Sequence, residues 1–215
     1  MADSRYRYPR ARIQIFSKAP RPGRVKTRLI PLLGARGAAE LAARLLRHAV
    51  ASAADSRLCP VQLWCEPDTD HALFRELQRA HGVELKRQRG ADLGRRMVQA
   101  LAEGLAEGGP VLLMGSDCPA ITPVCLEQAL RCLEETPCVL VPAEDGGYVL
   151  VGQSRLNTAM FENIDWGSAD VLRQTRARLR ASGWPHRELA YLADVDRPAD
   201  VAAALCLLDR NEQKD

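Results

Sequence analysis

The stretch Gly109-Pro110-Val111-Leu112-Leu113-Met114-Gly115-Ser116-Asp117-Cys118-Pro119 decides the fold. Four apolar residues stand between a Gly-Pro opening and a polar turn. A short apolar run bounded in this way reads as a strand buried on both faces, the kind found in a parallel sheet covered by helices. Pro119 has no N–H to offer a ladder, so the strand stops and leaves Asp117 at its carboxyl end.

Working outward, β-branched and aromatic residues mark further strands over 12–16, 61–64, 83–85, 139–141, 148–151 and 187–191. Between them, apolar residues recur at helical spacing over about 36–54, 70–81, 93–107, 123–135, 168–182 and 199–209. Leu41, Leu45 and Leu46 form one such stripe, and Gly82 is a stop signal after His81. Strands that alternate with helices of this length predict an α/β fold with a mostly parallel sheet. Ligands in such folds gather beyond the carboxyl ends of the strands. The loops after Phe16, Met114 and Val141 are therefore where chemistry is expected.

Composition narrows the field. The chain has 215 residues, 47% hydrophobic and 27% charged, enough for a full core in one domain. That domain is expected over 12–210, between tails at 1–11 and 211–215. No apolar run approaches the ~20 residues of a membrane span. The basic start lacks a secretory signal's apolar core, so the cytoplasm is expected. Seven cysteines without a C-x-x-C pair do not make a disulfide framework. A net charge of +3 and 5% aromatic residues give little for nucleic acid to bind or stack on.

The first loop carries Lys18, Arg21, Arg24, Lys26 and Arg28, with Thr27 and the turn-permitting Gly23. Phosphate oxygens need such charge-assisted donors, arginine as a fork and lysine as a point charge. The spacing is neither a Walker P-loop nor a G-x-G-x-x-G loop. Asp117 can hold a divalent cation against phosphates, since magnesium takes only one or two protein carboxylates. Thr122, before Pro123, already fits the cap of the following helix.

Further along, Glu144-Asp145-Gly146-Gly147-Tyr148 combines carboxylates with a glycine pair that lets a ligand approach the backbone, and it equally suits a hairpin turn. With Trp166, Glu144, Gly146, Gly147 and Tyr148 are the acceptor-side candidates, and Asp145 or Glu144 is a candidate base. Asp194 and Asp196 share one side of an extended chain and are candidate metal ligands, although Asp196 could instead cap the closing helix. The segment 88–97 places Gln88 and Gly94 near a helix amino terminus, where a base, sugar or phosphate can bind. The four histidines lack metal spacing, and no base beside Cys118 marks it as a nucleophile.

Together, FSKAPRPGRVKTRL, QRGADLGRRM, GSDCPAIT, AEDGGYVLVG and DVDRPAD resemble one family. It is the glycosyltransferase A-type family first named as a domain of unknown function, often labelled radical-SAM/selenodomain-associated transferase 1 or arsenosugar-biosynthesis glycosyltransferase. The resemblance runs from about 13 to 208. It implies the nucleotide-diphospho-sugar transferase fold, a three-layer α/β/α sandwich. It also implies glycosyl transfer from a nucleotide sugar to a small-molecule acceptor, assisted by Mg²⁺ or Mn²⁺. The KTRL loop and the Asp-x-Pro motif are similar to those of nucleotidyltransferases, including guanylyltransferases. Many glycosyltransferases of this fold carry Asp-x-Asp instead, and the matching position here is Cys118-Pro119. On this resemblance Lys26, Asp117 and Asp145 carry the reaction. A non-catalytic nucleotide-binding module is the reading from another class.

Overall fold

The computed structural model describes residues 5–212, and the outermost parts of both expected tails lie outside it. Seven strands form one sheet: β1 (Arg12–Lys18), β2 (Val61–Glu66), β3 (Glu84–Arg87), β4 (Val111–Gly115), β5 (Cys138–Pro142), β6 (Tyr148–Gln153) and β7 (Arg187–Glu188). Their order is β3-β2-β1-β4-β6-β5-β7. All neighbours are parallel except β6, which runs antiparallel to both β4 and β5. The helices are α1 (Ile30–Asp55), α2 (Ala72–His81), α3 (Leu93–Ala106), α4 (Pro123–Glu135), α5 (Val171–Ala181) and α6 (Val201–Glu212).

The strand alternation sorts the core into two faces. Ile13, Ile15, Leu112 and Met114 meet Leu46, Phe74 and Leu126 of α1, α2 and α4. Val111, Leu113 and Leu140 meet Met97, Leu101 and Leu179 of α3 and α5. The result is the expected α/β/α sandwich. Leu112 and Met114 are essentially inaccessible to solvent, each burial contributing about 1.5–3 kcal/mol. A smaller cluster packs Val201, Ala204 and Leu208 of α6 on Leu41 and Leu45 of α1.

Several boundaries differ from the sequence reading for local reasons. Gly34, at φ 70°, interrupts α1, so the regular helix begins near the expected position 36. The helix expected from 168 starts at Val171, because Ser168 spends its hydroxyl on a turn, donating to the Asp165 carbonyl and accepting from the Asp170 N–H. The last strand is two residues long, supplemented by an isolated bridge from Leu192 to Ala143. Within the expected N-terminal tail, Arg7 and Tyr8 donate backbone hydrogen bonds to the carbonyls of Arg57 and Leu58.

The reversal into β6 is a hairpin, one of the two roles open to 144–147. Ala143 donates to the Gly147 carbonyl at 3.0 Å, and Asp145 Oδ1 accepts the Gly147 N–H at 2.9 Å. Gly146 sits at φ 95°, and any Cβ there would collide with the Ala169 carbonyl. The turn is thereby seated on the loop that precedes α5, and both lie beyond the carboxyl end of β5.

Candidate active site

A two-lobed cleft opens along the carboxyl ends of β1, β4 and β5. One lobe, about 720 Å³, is bounded by the basic loop, the end of β4 and the start of α3. The other, about 660 Å³, is bounded by the hairpin turn, β6, the loop before α5 and the 194–197 segment. Phe16, Arg28, Leu93, Gly115, Asp117 and Asp196 face both lobes, so the two are one continuous cleft.

The basic lobe takes Lys18, Arg24, Lys26, Thr27, Arg28 and Gln88 from the expected phosphate-binding set. Lys26 adopts a left-handed backbone (φ 46°), uncommon for a residue with a side chain. Its buried ammonium donates to Asp117 Oδ2 at 2.8 Å and to the Val195 carbonyl at 2.5 Å. Arg28 pairs with Asp196. Arg24 has no ion-pair partner among the described residues. Glu66 collects Arg96 at 2.9 Å and the more exposed Lys18 at 3.7 Å. Gln88 is fixed by donating its amide to the Ser17 and Trp64 carbonyls.

Three members of that set lie elsewhere. Arg21 and Gly23 do not line the lobe, although both belong to the turn that leads to Lys26. Gly94 is buried on α3 beneath Trp166, and a Cβ there would stand 2.9 Å from the indole nitrogen. Its lack of a side chain makes room for an aromatic ring rather than a phosphate. The α3 amino terminus is capped by Asp92, which accepts from the Arg95 N–H at 2.8 Å.

The second lobe has an aromatic wall and an acidic end. Trp166 lies edge-on to Tyr148 and stacked beside Phe161, with ring centroids 6.5 and 6.4 Å apart. Asp145, Gly147 and Tyr148 line this lobe, whereas Glu144 points to solvent outside it and Gly146 serves the turn. Burial of the Tyr148 hydroxyl pushes its pKa upward, away from any role as an anion. Asp194 is half-buried, and its pKa is raised to about 6, first by burial and then by the Asp145 carboxylate, against the pull of Lys26.

Asp117, Asp194, Asp145 and Asp196 thus converge on one cleft from three separate loops. Thr122 caps α4 by accepting from the Cys125 N–H, leaving Asp117 for other work. Asp196 does not cap the closing helix: the Asp200 carboxylate accepts from the Asp196 and Arg197 N–H groups at 3.0 and 2.6 Å. Cys118 donates to the Ala193 carbonyl, and burial pushes its thiol up to about 12, so it packs rather than attacks. Among the described residues, no three His, Cys, Asp or Glu side chains form a ready-made metal centre. The donor chemistry along the acidic end of the second lobe nevertheless suits a hard cation. Asp117 and Asp194 offer carboxylate oxygens and Val195 a carbonyl, as Mg²⁺ and Mn²⁺ prefer.

With this geometry in view, residues 46–168 match the family described as "Uncharacterized protein conserved in bacteria (DUF2064)". The chain belongs to the DUF2064 family. It is similar to a protein of Desulfovibrio desulfuricans G20 named, provisionally, as a nucleotide-diphospho-sugar transferase. The identity is 28% and the TM-score 0.80, over 95% of this chain and 96% of that one. CMP:2-keto-3-deoxy-manno-octonic acid synthetase, complexed with CTP, shares the fold at 13% identity and a TM-score of 0.60, over 94% of this chain and 99% of that one. A Mycobacterium tuberculosis H37Rv protein, Rv0371c, solved in complex with manganese, shares it at 18% identity and a TM-score of 0.54, over 91% and 97%. No curated protein matches by sequence. This DUF2064 chain therefore has the fold of nucleotide-diphospho-sugar transferases and cytidylyltransferases, and no described helix is long and apolar enough to cross a membrane.

Sequence reasoning missed Ser17, Glu66, Arg96 and Arg197, all of which line the cleft. Ser17 had a usable signal, a hydroxyl at the carboxyl end of the first strand. The other three show none locally, since their places depend on how distant loops meet.

Proposed function

We propose that this DUF2064 protein is a metal-assisted glycosyltransferase of the radical-SAM/selenodomain-associated type. It takes a nucleotide-diphospho-sugar donor and a small hydroxyl-bearing acceptor. The observation that carries this reading is the continuity of a cationic lobe with an aromatic, acidic lobe across a ridge that bears Asp117. The nucleotide lies in the first lobe, its phosphates against Lys26, Arg24 and Arg28, and Gln88 borders the nucleoside. The acceptor lies against Trp166 and Tyr148. An acceptor hydroxyl attacks the sugar C1, the bond from C1 to the phosphate oxygen breaks, and a nucleoside diphosphate leaves. Asp145 takes the hydroxyl proton, its carboxylate already oriented by the Gly147 N–H. Asp117, with Asp194, would hold Mg²⁺ or Mn²⁺, which when bound supplies charge neutralisation for the leaving phosphate.

Calorimetry of wild type and Asp117→Asn with nucleotides, with and without Mn²⁺, tests the site. Wild type should show metal-dependent affinity that the variant loses, and identical behaviour would remove Asp117 from the mechanism. A second reading, nucleotidyl transfer, is favoured by the density of cations in the first lobe. There an acceptor phosphate attacks the α-phosphate of a nucleoside triphosphate and pyrophosphate leaves. Product analysis separates the two. Nucleoside diphosphate released from a nucleotide sugar supports the first, and acceptor-dependent pyrophosphate from a triphosphate replaces it with the second.

A further inference from the structure

The cations expected to hold phosphate are already engaged by the acids expected to hold metal. Lys26 binds Asp117 and the Val195 carbonyl, and Arg28 binds Asp196. The Lys26 side chain is only 5% exposed, so its ammonium has exchanged water for these oxygens. Its charge also reaches Asp194. An ammonium held by a carboxylate and a carbonyl, with the Asp194 carboxylate within reach of its charge, occupies the kind of oxygen site that a hard divalent cation takes. Losing it without replacement would leave Asp117 without its counter-charge and Asp194 facing the Asp145 and Asp196 carboxylates unopposed.

We propose that Lys26 is the site's own cation, and that metal and nucleotide polyphosphate displace it together. The ammonium moves from Asp117 to phosphate oxygens, and the released carboxylate turns to the metal. Each ligand thus frees the other's partner, and their affinities rise together by the same factor. Metal alone binds poorly, because it must expel a paired, buried ammonium with nowhere to go. This inference rests on the metal-assisted reading of the cleft. It departs from a simple phosphate clamp in one respect: a clamp standing clear of the metal's oxygens would leave the affinity for metal alone nearly unchanged when Lys26 is replaced.

The test is a Mn²⁺ titration without nucleotide, read by the paramagnetic resonance of free Mn²⁺, on wild type and Lys26→Met. Methionine keeps the buried aliphatic stem and removes the charge. Lys26→Met should bind Mn²⁺ at least about tenfold more tightly than wild type, and adding Asp117→Asn should abolish the gain. Equal or weaker binding by Lys26→Met overturns the exchange while leaving the metal reading intact. Absence of Mn²⁺ binding in every protein, even with nucleotide present, overturns both. Should Lys26→Met fail to fold, the wild-type ammonium can be followed directly by ¹⁵N-lysine NMR. Its signal should stay in place with Mg²⁺ alone and move when Mg²⁺ and a nucleoside triphosphate are added together. A signal unmoved by the pair overturns the exchange.

Discussion

Val195 donates its backbone N–H to the carbonyl of Asp117 at 3.0 Å, tying the loop after β4 to the segment that leads into α6. Lys26 reaches the same two residues, through the Asp117 carboxylate and the Val195 carbonyl. Three loops far apart in sequence are therefore joined at one point, and Asp194 and Asp196 flank it.

Asp145→Asn should separate chemistry from binding. Asparagine can still accept the Gly147 N–H, so the hairpin turn survives. Nucleotide affinity should be unchanged, while nucleoside diphosphate release from the donor falls about 10²–10⁴-fold, the usual contribution of a positioned base. Unaltered turnover would assign the proton to another group.

Gly115→Val should narrow the passage between the lobes. Gly115 pairs with Phe16 in the sheet and faces both lobes, and a Cβ there meets nothing closer than the Asp117 nitrogen at 3.9 Å. A branched side chain is compatible with a strand. Calorimetry should find nucleotide affinity within about twofold of wild type, with transfer reduced at least about tenfold.

Gly94→Ala tests what that glycine is for. The added methyl would stand about 3 Å from the Trp166 ring and the Phe161 carbonyl. Overpacking of this kind costs about 1–3 kcal/mol, against a helix-propensity gain near 1 kcal/mol. The melting temperature should fall and nucleotide affinity should hold. The reverse pattern would restore Gly94 to the phosphate site.

Glu188 sets part of the acid limb of stability. Arg176 forks onto it at 2.8 and 2.6 Å and holds its carboxyl below the usual range, with burial opposing. A depressed folded-state pKa means that the unfolded chain binds the proton more readily. The stabilisation is therefore present above the ordinary glutamate value of about 4.3 and lost as pH falls through the folded value. Melting temperature plotted against pH should decline less steeply below pH ~5 in Glu188→Gln than in wild type. Parallel curves would show that the pair contributes nothing.

The sandwich was legible because strands buried on both faces and helices with one apolar stripe leave strong local patterns. Val111–Met114 and Leu41–Leu46 are read with the same roles they hold in the structure. The acids at strand ends were legible too, since Asp117 and Asp145 each sit beside turn chemistry. What stayed hidden depends on contacts across the chain. The Arg28–Asp196 pair joins residues 168 positions apart, and no window of sequence encodes it. A glycine near a helix start, such as Gly94, reads as a place for a base, sugar or phosphate. Its actual neighbour, Trp166, comes from a loop with no periodicity of its own. The antiparallel course of β6 had only a dipeptide, Asp145-Gly146, to announce it.

Apart from the shared ridge and Asp196, the cationic lobe is built from residues before position 118, and the aromatic lobe draws most of its lining from residues after 144. If the lobes take donor and acceptor as proposed, the two ligand specificities are laid end to end along the polypeptide. A family member could change its acceptor by altering only its distal half, leaving the nucleotide machinery untouched. A chimera joined within α4, between the two contributions, is the natural way to move an acceptor preference from one member to another.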